Sequence, residues 1–206
     1  IFMAKIIYNS AIKACEELGL DKEKMEDIRE SIMEFYLQSA KNDLDKTSGV
    51  SSRIDWREAL EFARDSGMPS AKIEFYLDRI VKDYSNYGIN LLKSGKMFEA
   101  EMTHSDILAF LKEQGYQPNR IENFSFTLYE AKKSEAITRL AKAYAATNTT
   151  GSLINIIHAF ILLTQMRRLN TEVGVGSQEE IDKLKSILMV QTEQQVIEDS
   201  GSENDS

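Results

Sequence analysis

Apolar residues return along this chain at intervals of three and four, the spacing of one helical face, and the pattern itself comes back every 48 residues. In that register the apolar columns include Ile12/Leu60/Leu108, Ala14/Phe62/Phe110, Leu20/Met68/Tyr116, Met25/Ile73/Ile121, Ile28/Tyr76/Phe124, Ile32/Ile80/Leu128 and Leu44/Leu92/Leu140. With 42% of residues hydrophobic, chance makes a column of three wholly apolar about 7% of the time, roughly three to four columns per period, whereas twelve are found. Any two amphipathic helices can be slid into phase, which inflates such a count. A glycine column, Gly19/Gly67/Gly115, and a glutamate column, Glu26/Glu74/Glu122, fall at the same offset and are not explained in that way.

Each period reads as a short helix followed by a long one. The column glycines stand just past the apolar pattern of the short helix, where a C-terminal cap takes positive φ. Pro69 and Pro118 then fit the first turn of the long helix, where a missing N–H leaves no bond unmade. The pattern predicts helical hairpins over 4–48, 52–96 and 100–147. Asp21, Asp55 and either Thr103 or Ser105 are the expected N-caps, which places the second and third short helices at 56–66 and 107–114, with 97–100 as an extra turn ahead of the third, and 47–52 (TSGVSS) reads as a loop. Past residue 148 the register is lost, and 150–197 is predicted as a fourth, divergent hairpin closing the array. The expected fold is all-α: a single domain of stacked hairpins over 1–197, solenoid-like or a compact bundle, with 198–206 as an acidic disordered tail. Small residues at Ala40, Gly88 and Ala136 on the long helices mark a close approach between helices.

Composition sharpens this picture in a few places. Two prolines and ten glycines suit long uninterrupted helices better than a turn-rich β architecture. The one cysteine, Cys15, lies at an apolar position, so a buried thiol and a reducing, cytoplasmic setting are expected. The greasiest stretch, Leu153 to Met166, is interrupted by Asn155, His158 and Thr164 and is too short to span a bilayer, so it reads as a buried helix. Five acids and no base lie in 193–206, so the chain's net charge of −8 shrinks to −3 without that segment. A near-neutral body offers little general attraction to nucleic acid or an anionic membrane.

Candidate chemistry is sparse. Glu101-x-x-His104 would place two metal ligands on one helix face, but a carboxylate-bridged site needs a second copy, and His158 has Asn155 three residues ahead of it. In the repeat, His104 shares a column with Tyr8 and Trp56, which marks it as a core-edge substitute for an aromatic ring. No pattern of nucleophile, histidine base and orienting acid emerges, and the glycines of GVGS (174–177) make no phosphate cradle. No catalytic residue, cofactor or metal is assigned, and an enzymatic role is not expected. The glutamate column is expected in the first turns of the long helices, where a carboxylate complements the dipole and gives all three residues one structural role. Ala63, Gly67 and Ile73 have the spacing of a helix-turn-helix within 62–80. The one basic concentration, Lys132, Lys133, Arg139 and Lys142 with Arg167 and Arg168, reads as a solvated face or as a docking patch for an acidic partner. The sequence thus points to a non-catalytic helical-repeat adaptor or scaffold that binds another protein. The alternative is a nucleic-acid-associated regulator using 62–80 or the basic residues around 132–168.

Overall fold

The computed structural model describes the backbone of residues 2–19, 22–46, 50–146 and 149–202, and its secondary structure is eight α-helices with no strand among the described residues. They are α1 (Phe2–Glu17), α2 (Lys22–Lys46), α3 (Val50–Asp65), α4 (Ser70–Lys93), α5 (Met97–Glu113), α6 (Pro118–Tyr144), α7 (Thr149–Val173) and α8 (Gln178–Ser202). Short and long helices alternate through the first three hairpins as the repeat predicts, and a fourth hairpin follows. The chain divides into two compact units, Ile1–Tyr87 and Gly88–Ser206, where the sequence reading has one domain, and the boundary falls inside α4.

The column glycines occupy the turn they were expected to make, with φ of +62° at Gly19, +71° at Gly67 and +71° at Gly115. At Gly67 the closure is complete: its N–H bonds to the Arg64 carbonyl at 3.0 Å and the Met68 N–H to that of Ala63 at 3.0 Å, the paired bonds of a Schellman cap. Gly115 and Tyr116 repeat the arrangement onto Lys112 and Leu111. Pro118 opens α6 in its first turn, whereas Pro69 stands one residue ahead of α4 and gives its carbonyl to the N–H groups of Lys72 and Ile73.

Three local expectations need correction. Helix α3 starts at Val50, inside the expected loop, and α5 runs unbroken from Met97 through the expected cap, where the pattern predicts only a separate turn over 97–100. Asp55 therefore lies inside α3, accepting a hydrogen bond from Ser39 Oγ at 3.3 Å, and Thr103 lies inside α5 with its hydroxyl on the Glu99 carbonyl. Packing explains the extension: Ser52, Met97 and Ala100 are buried, so tertiary contact carries each helix past a locally favourable stop.

The glutamate column is the second correction. Glu26, Glu74 and Glu122 are each the fifth residue of their long helix, beyond the first turn in which the dipole acts, so none of them plays the expected part. Nor do the three share another role. Glu26 is half-buried and takes hydrogen bonds from Lys72 and Arg29, which hold its carboxyl below the usual range. Glu74 and Glu122 are exposed, on the solvent side of α4 and α6, so there the column marks the register of the repeat and not a buried structural contact. Lastly, α8 continues as helix through Ser202. Asp21, residues 47–49 of the expected loop and the last four residues of the expected tail lie outside the described residues.

In the first unit α2 packs along α3, and the cross-links to α4 step forward in both helices: Lys72 to Glu26 and Glu30, Arg79 to Glu34, and Lys41 to Asp83. The long helices α2 and α4 therefore run parallel, one repeat apart. The second unit shows the same relation, with Tyr129 bonded to Ser177, Lys133 to Glu180 and Gln191 to the Leu140 carbonyl, so α6 and α8 are parallel. Between them α7 runs the other way, fixed by Lys132 to Gln165, Arg139 to Asn155 and Ser152 to the Ala143 carbonyl. The small-residue column marks close packing in each repeat. A Cβ on Gly88 would lie 2.5 Å from His104 Nε2, and Ala40 and Ala136, in the same column, are fully buried.

Candidate functional site

The repeat makes one irregularity visible. The column Tyr8/Trp56/His104 is buried throughout, and so is the column Tyr36/Tyr84/Lys132. In the second repeat the two columns meet as an aromatic pair, Trp56 and Tyr84, with ring centroids 4.9 Å apart. In the third repeat the same two places hold a histidine and a lysine. Lys132 is 1% exposed; its Nζ donates to Glu101 Oε2 at 2.6 Å and to Gln165 Oε1 at 2.7 Å. The other oxygen of Glu101 meets Arg168 at 3.0 Å, and Arg168 also donates to Ser105 Oγ at 3.0 Å. Burial pushes the Lys132 ammonium below its ordinary value against the opposing pull of Glu101. Burial, with the Lys132 charge beside it, lowers His104 to about 3, so the imidazole is neutral at physiological pH, and neither ring nitrogen has a hydrogen-bond partner.

A second polar step continues the stripe along α6, where Glu135 accepts from Arg139 Nε at 2.7 Å and Arg139 reaches Asn155 Oδ1 at 3.5 Å. His158 is lowered by burial and by Arg139. These groups consume one another. Both oxygens of Glu101 are taken by cations and His104 is pressed against Gly88, so the E-x-x-H spacing forms no chelate, and no group of three or more metal-ligating side chains gathers among the described residues.

The basic concentration is dispersed in the same way. Lys132 is inside the protein and presents nothing to a partner. Lys133 pairs with Glu130 and Glu180, Arg139 with Glu135, and Arg168 with Glu101 and Glu172, while Lys142 and Arg167 are exposed. Along the helix-turn-helix-like hairpin, Lys72 and Arg79 of α4 are held by Glu26, Glu30 and Glu34 of α2. A row of carboxylates on that face opposes a phosphate backbone.

The apolar surface lies elsewhere. Helix α7, expected to be buried all round, buries Ile156, Ala159, Leu162, Leu163 and Met166 but leaves Leu153, Ile154, Ile157 and Phe160 between 48 and 57% exposed. At 3.6 residues per turn these four fall within an arc of about 120°. No other helix exposes four large apolar side chains so close together among the described residues. The face runs into a groove of about 180 Å³ between α7 and α8, floored by Leu163 and Ile181. Phe160, Thr164 and Arg167 wall it on one side, and Gln178, Asp182 and Lys185 on the other. At the foot of the groove the turn is fixed by Tyr129, whose hydroxyl donates to the Ser177 carbonyl and accepts from its N–H. That leaves no room for a side chain at Gly176, where a Cβ would lie 2.2 Å from the Tyr129 ring.

The sequence missed this face because apolar residues stand on most sides of the stretch despite Asn155, His158 and Thr164, and a helix that is apolar nearly all round is ordinarily buried. The substitution of His104 and Lys132 for aromatic residues, by contrast, can be read directly from the repeat alignment.

Comparisons with protein-family models, with characterised proteins and with solved structures find no match to this chain. No helix is long and apolar enough to cross a membrane among the described residues.

Proposed function

We propose that this protein is a non-catalytic helical-repeat adaptor that captures another protein on the exposed face of α7 and the groove beside it. The observation that carries the reading is the contiguous exposure of Leu153, Ile154, Ile157 and Phe160. Leaving such side chains in water forgoes burial free energy of about 25 cal/mol per Å², and a contiguous exposed apolar patch marks a contact surface. The groove volume also favours a protein partner. At about 180 Å³ it is smaller than the roughly 300–1,000 Å³ of small-molecule sites, and is suited to an anchoring side chain. The nucleic-acid alternative draws less support, because most of the basic side chains it would use are engaged by carboxylates.

The test is a photo-crosslinking residue placed at Ile157, with the same residue at exposed Asp78 as a control, in extract of the cells that make the protein. Adducts should be discrete at 157, absent at 78, and formed again with the purified partner identified by mass spectrometry. Low-salt binding of a mixed-sequence duplex, lost on reversing Lys142 and Arg167, would favour the nucleic-acid reading instead.

A further inference from the structure

The reading of α7 as a docking face leaves open what docks there, and the two walls of the groove define it. On α7 the outward positions Leu153, Ile157, Phe160, Thr164 and Arg167 are spaced four, three, four and three residues apart. On α8 the wall positions Gln178, Asp182 and Lys185 are spaced four and three apart, and Met189, four further on and 55% exposed, continues the row. Both walls thus have the spacing along which helices pack ridge into groove.

The walls also change character together along their length. The end nearest the α7–α8 turn carries Arg167, Lys185, Asp182 and Gln178; the far end carries Leu153, Ile157 and Met189. Arg167 and Lys185 outnumber Asp182 at the polar end by one positive charge. The cavity between the ends is near the roughly 150 Å³ that accommodates a benzene-sized group. A peptide bound by strand addition would need a sheet edge to pair with, and there is no strand among the described residues.

Resting on the adaptor reading, we propose that the α7–α8 groove takes one amphipathic α-helix of a partner protein. That helix places a large apolar side chain over Leu163 and Ile181, further apolar residues at i+4 and i+7 along Ile157 and Leu153, and carboxylates beside Arg167 and Lys185. A second copy of this chain and an anionic membrane are the competing occupants.

The full chain is titrated against three labelled synthetic peptides followed by fluorescence anisotropy. Two are amphipathic helices with Leu and Phe at i, i+4, i+7 and i+11, one ending in a Glu cluster and the other in a Lys cluster. The third is the Glu peptide scrambled to break its apolar face. The groove predicts micromolar binding of the Glu peptide, at least tenfold weaker binding of the scrambled one, and at least tenfold weakening by Phe160→Glu. It also predicts that Arg167→Glu with Lys185→Glu reverses the preference toward the Lys peptide. Equal binding of the scrambled peptide, indifference to Phe160, or no binding of either helix would overturn the proposal. A dimer dissolved by Ile157→Asp, or binding confined to anionic phospholipid vesicles, would overturn it in favour of those occupants. If crosslinks at 157 to a partner persist while no helical peptide binds, the docking face stands and the helical occupant falls.

Discussion

His104 and Lys132 replace an aromatic pair with two titratable groups, and pH reports on the exchange. Above about pH 6.5 His104 is neutral in both folded and unfolded chains and costs nothing extra. Below it the unfolded chain takes up a proton that the folded protein refuses until about pH 3, so stability falls by about 1.4 kcal/mol per pH unit across that window. His104→Phe should reduce the loss between pH 6.5 and 5, above the range where carboxylates titrate and leaving only the share of His158, which is also lowered, as measured by urea midpoints at each pH; an unchanged slope would mean the imidazole is accessible to protons. Backbone geometry gives a second test at this scale. Gly67→Val forces a β-branched residue to φ of +71° with no steric neighbour to confuse the result, and should cost more than about 1 kcal/mol in thermal melts. No loss there would contradict the cap.

At the scale of elements, the first two repeats fill the two columns with rings, and the third fills them with a neutral imidazole and the lysine of the Lys132–Glu101 ion pair. Removing both ends of the buried ion pair together, Lys132→Met with Glu101→Met, should leave the protein helical and about as stable as the parent in thermal melts, since hydrophobic replacement of a buried ion pair is often neutral or stabilising. Lys132→Met alone removes the inner partner of Glu101 and should cost about 3 kcal/mol. A double variant that unfolds would show that the cluster fixes which helices meet. Much of this level was legible beforehand. The turn glycines, the alternation of short and long helices and the burial of the His104 column follow from periodicity and turn chemistry, which are local. The starts of α3 and α5 were not, because the contacts of Ser52, Met97 and Ala100 override the caps that Asp55 and Thr103 offer locally. The glutamate column misleads for a different reason: a recurring residue type fixes register, but whether Glu26 is half-buried while Glu74 and Glu122 are exposed depends on the neighbouring helix. Nor was the dispersal of the basic residues legible, since pairs such as Lys133 with Glu180 join positions that sequence distance separates.

For the whole molecule, the deciding element is α7. Its outer face is invisible to a reading by hydrophobicity, because the same residue types line the core and the surface; only the packing of α5, α6 and α8 decides which side of the helix is covered. The most direct test is the thermal melt of Ile157→Asp with Phe160→Asp, followed by circular dichroism. Surface substitutions ordinarily change stability by no more than about 0.5 kcal/mol each, so if the face is solvent-exposed and kept for a partner, the midpoint of this double variant should stay within about 4 °C of the parent and solubility should rise. A fall of about 8 °C or more would mean that the two aspartates had been forced into a core, and that the face proposed to bind a partner is already covered by the protein itself.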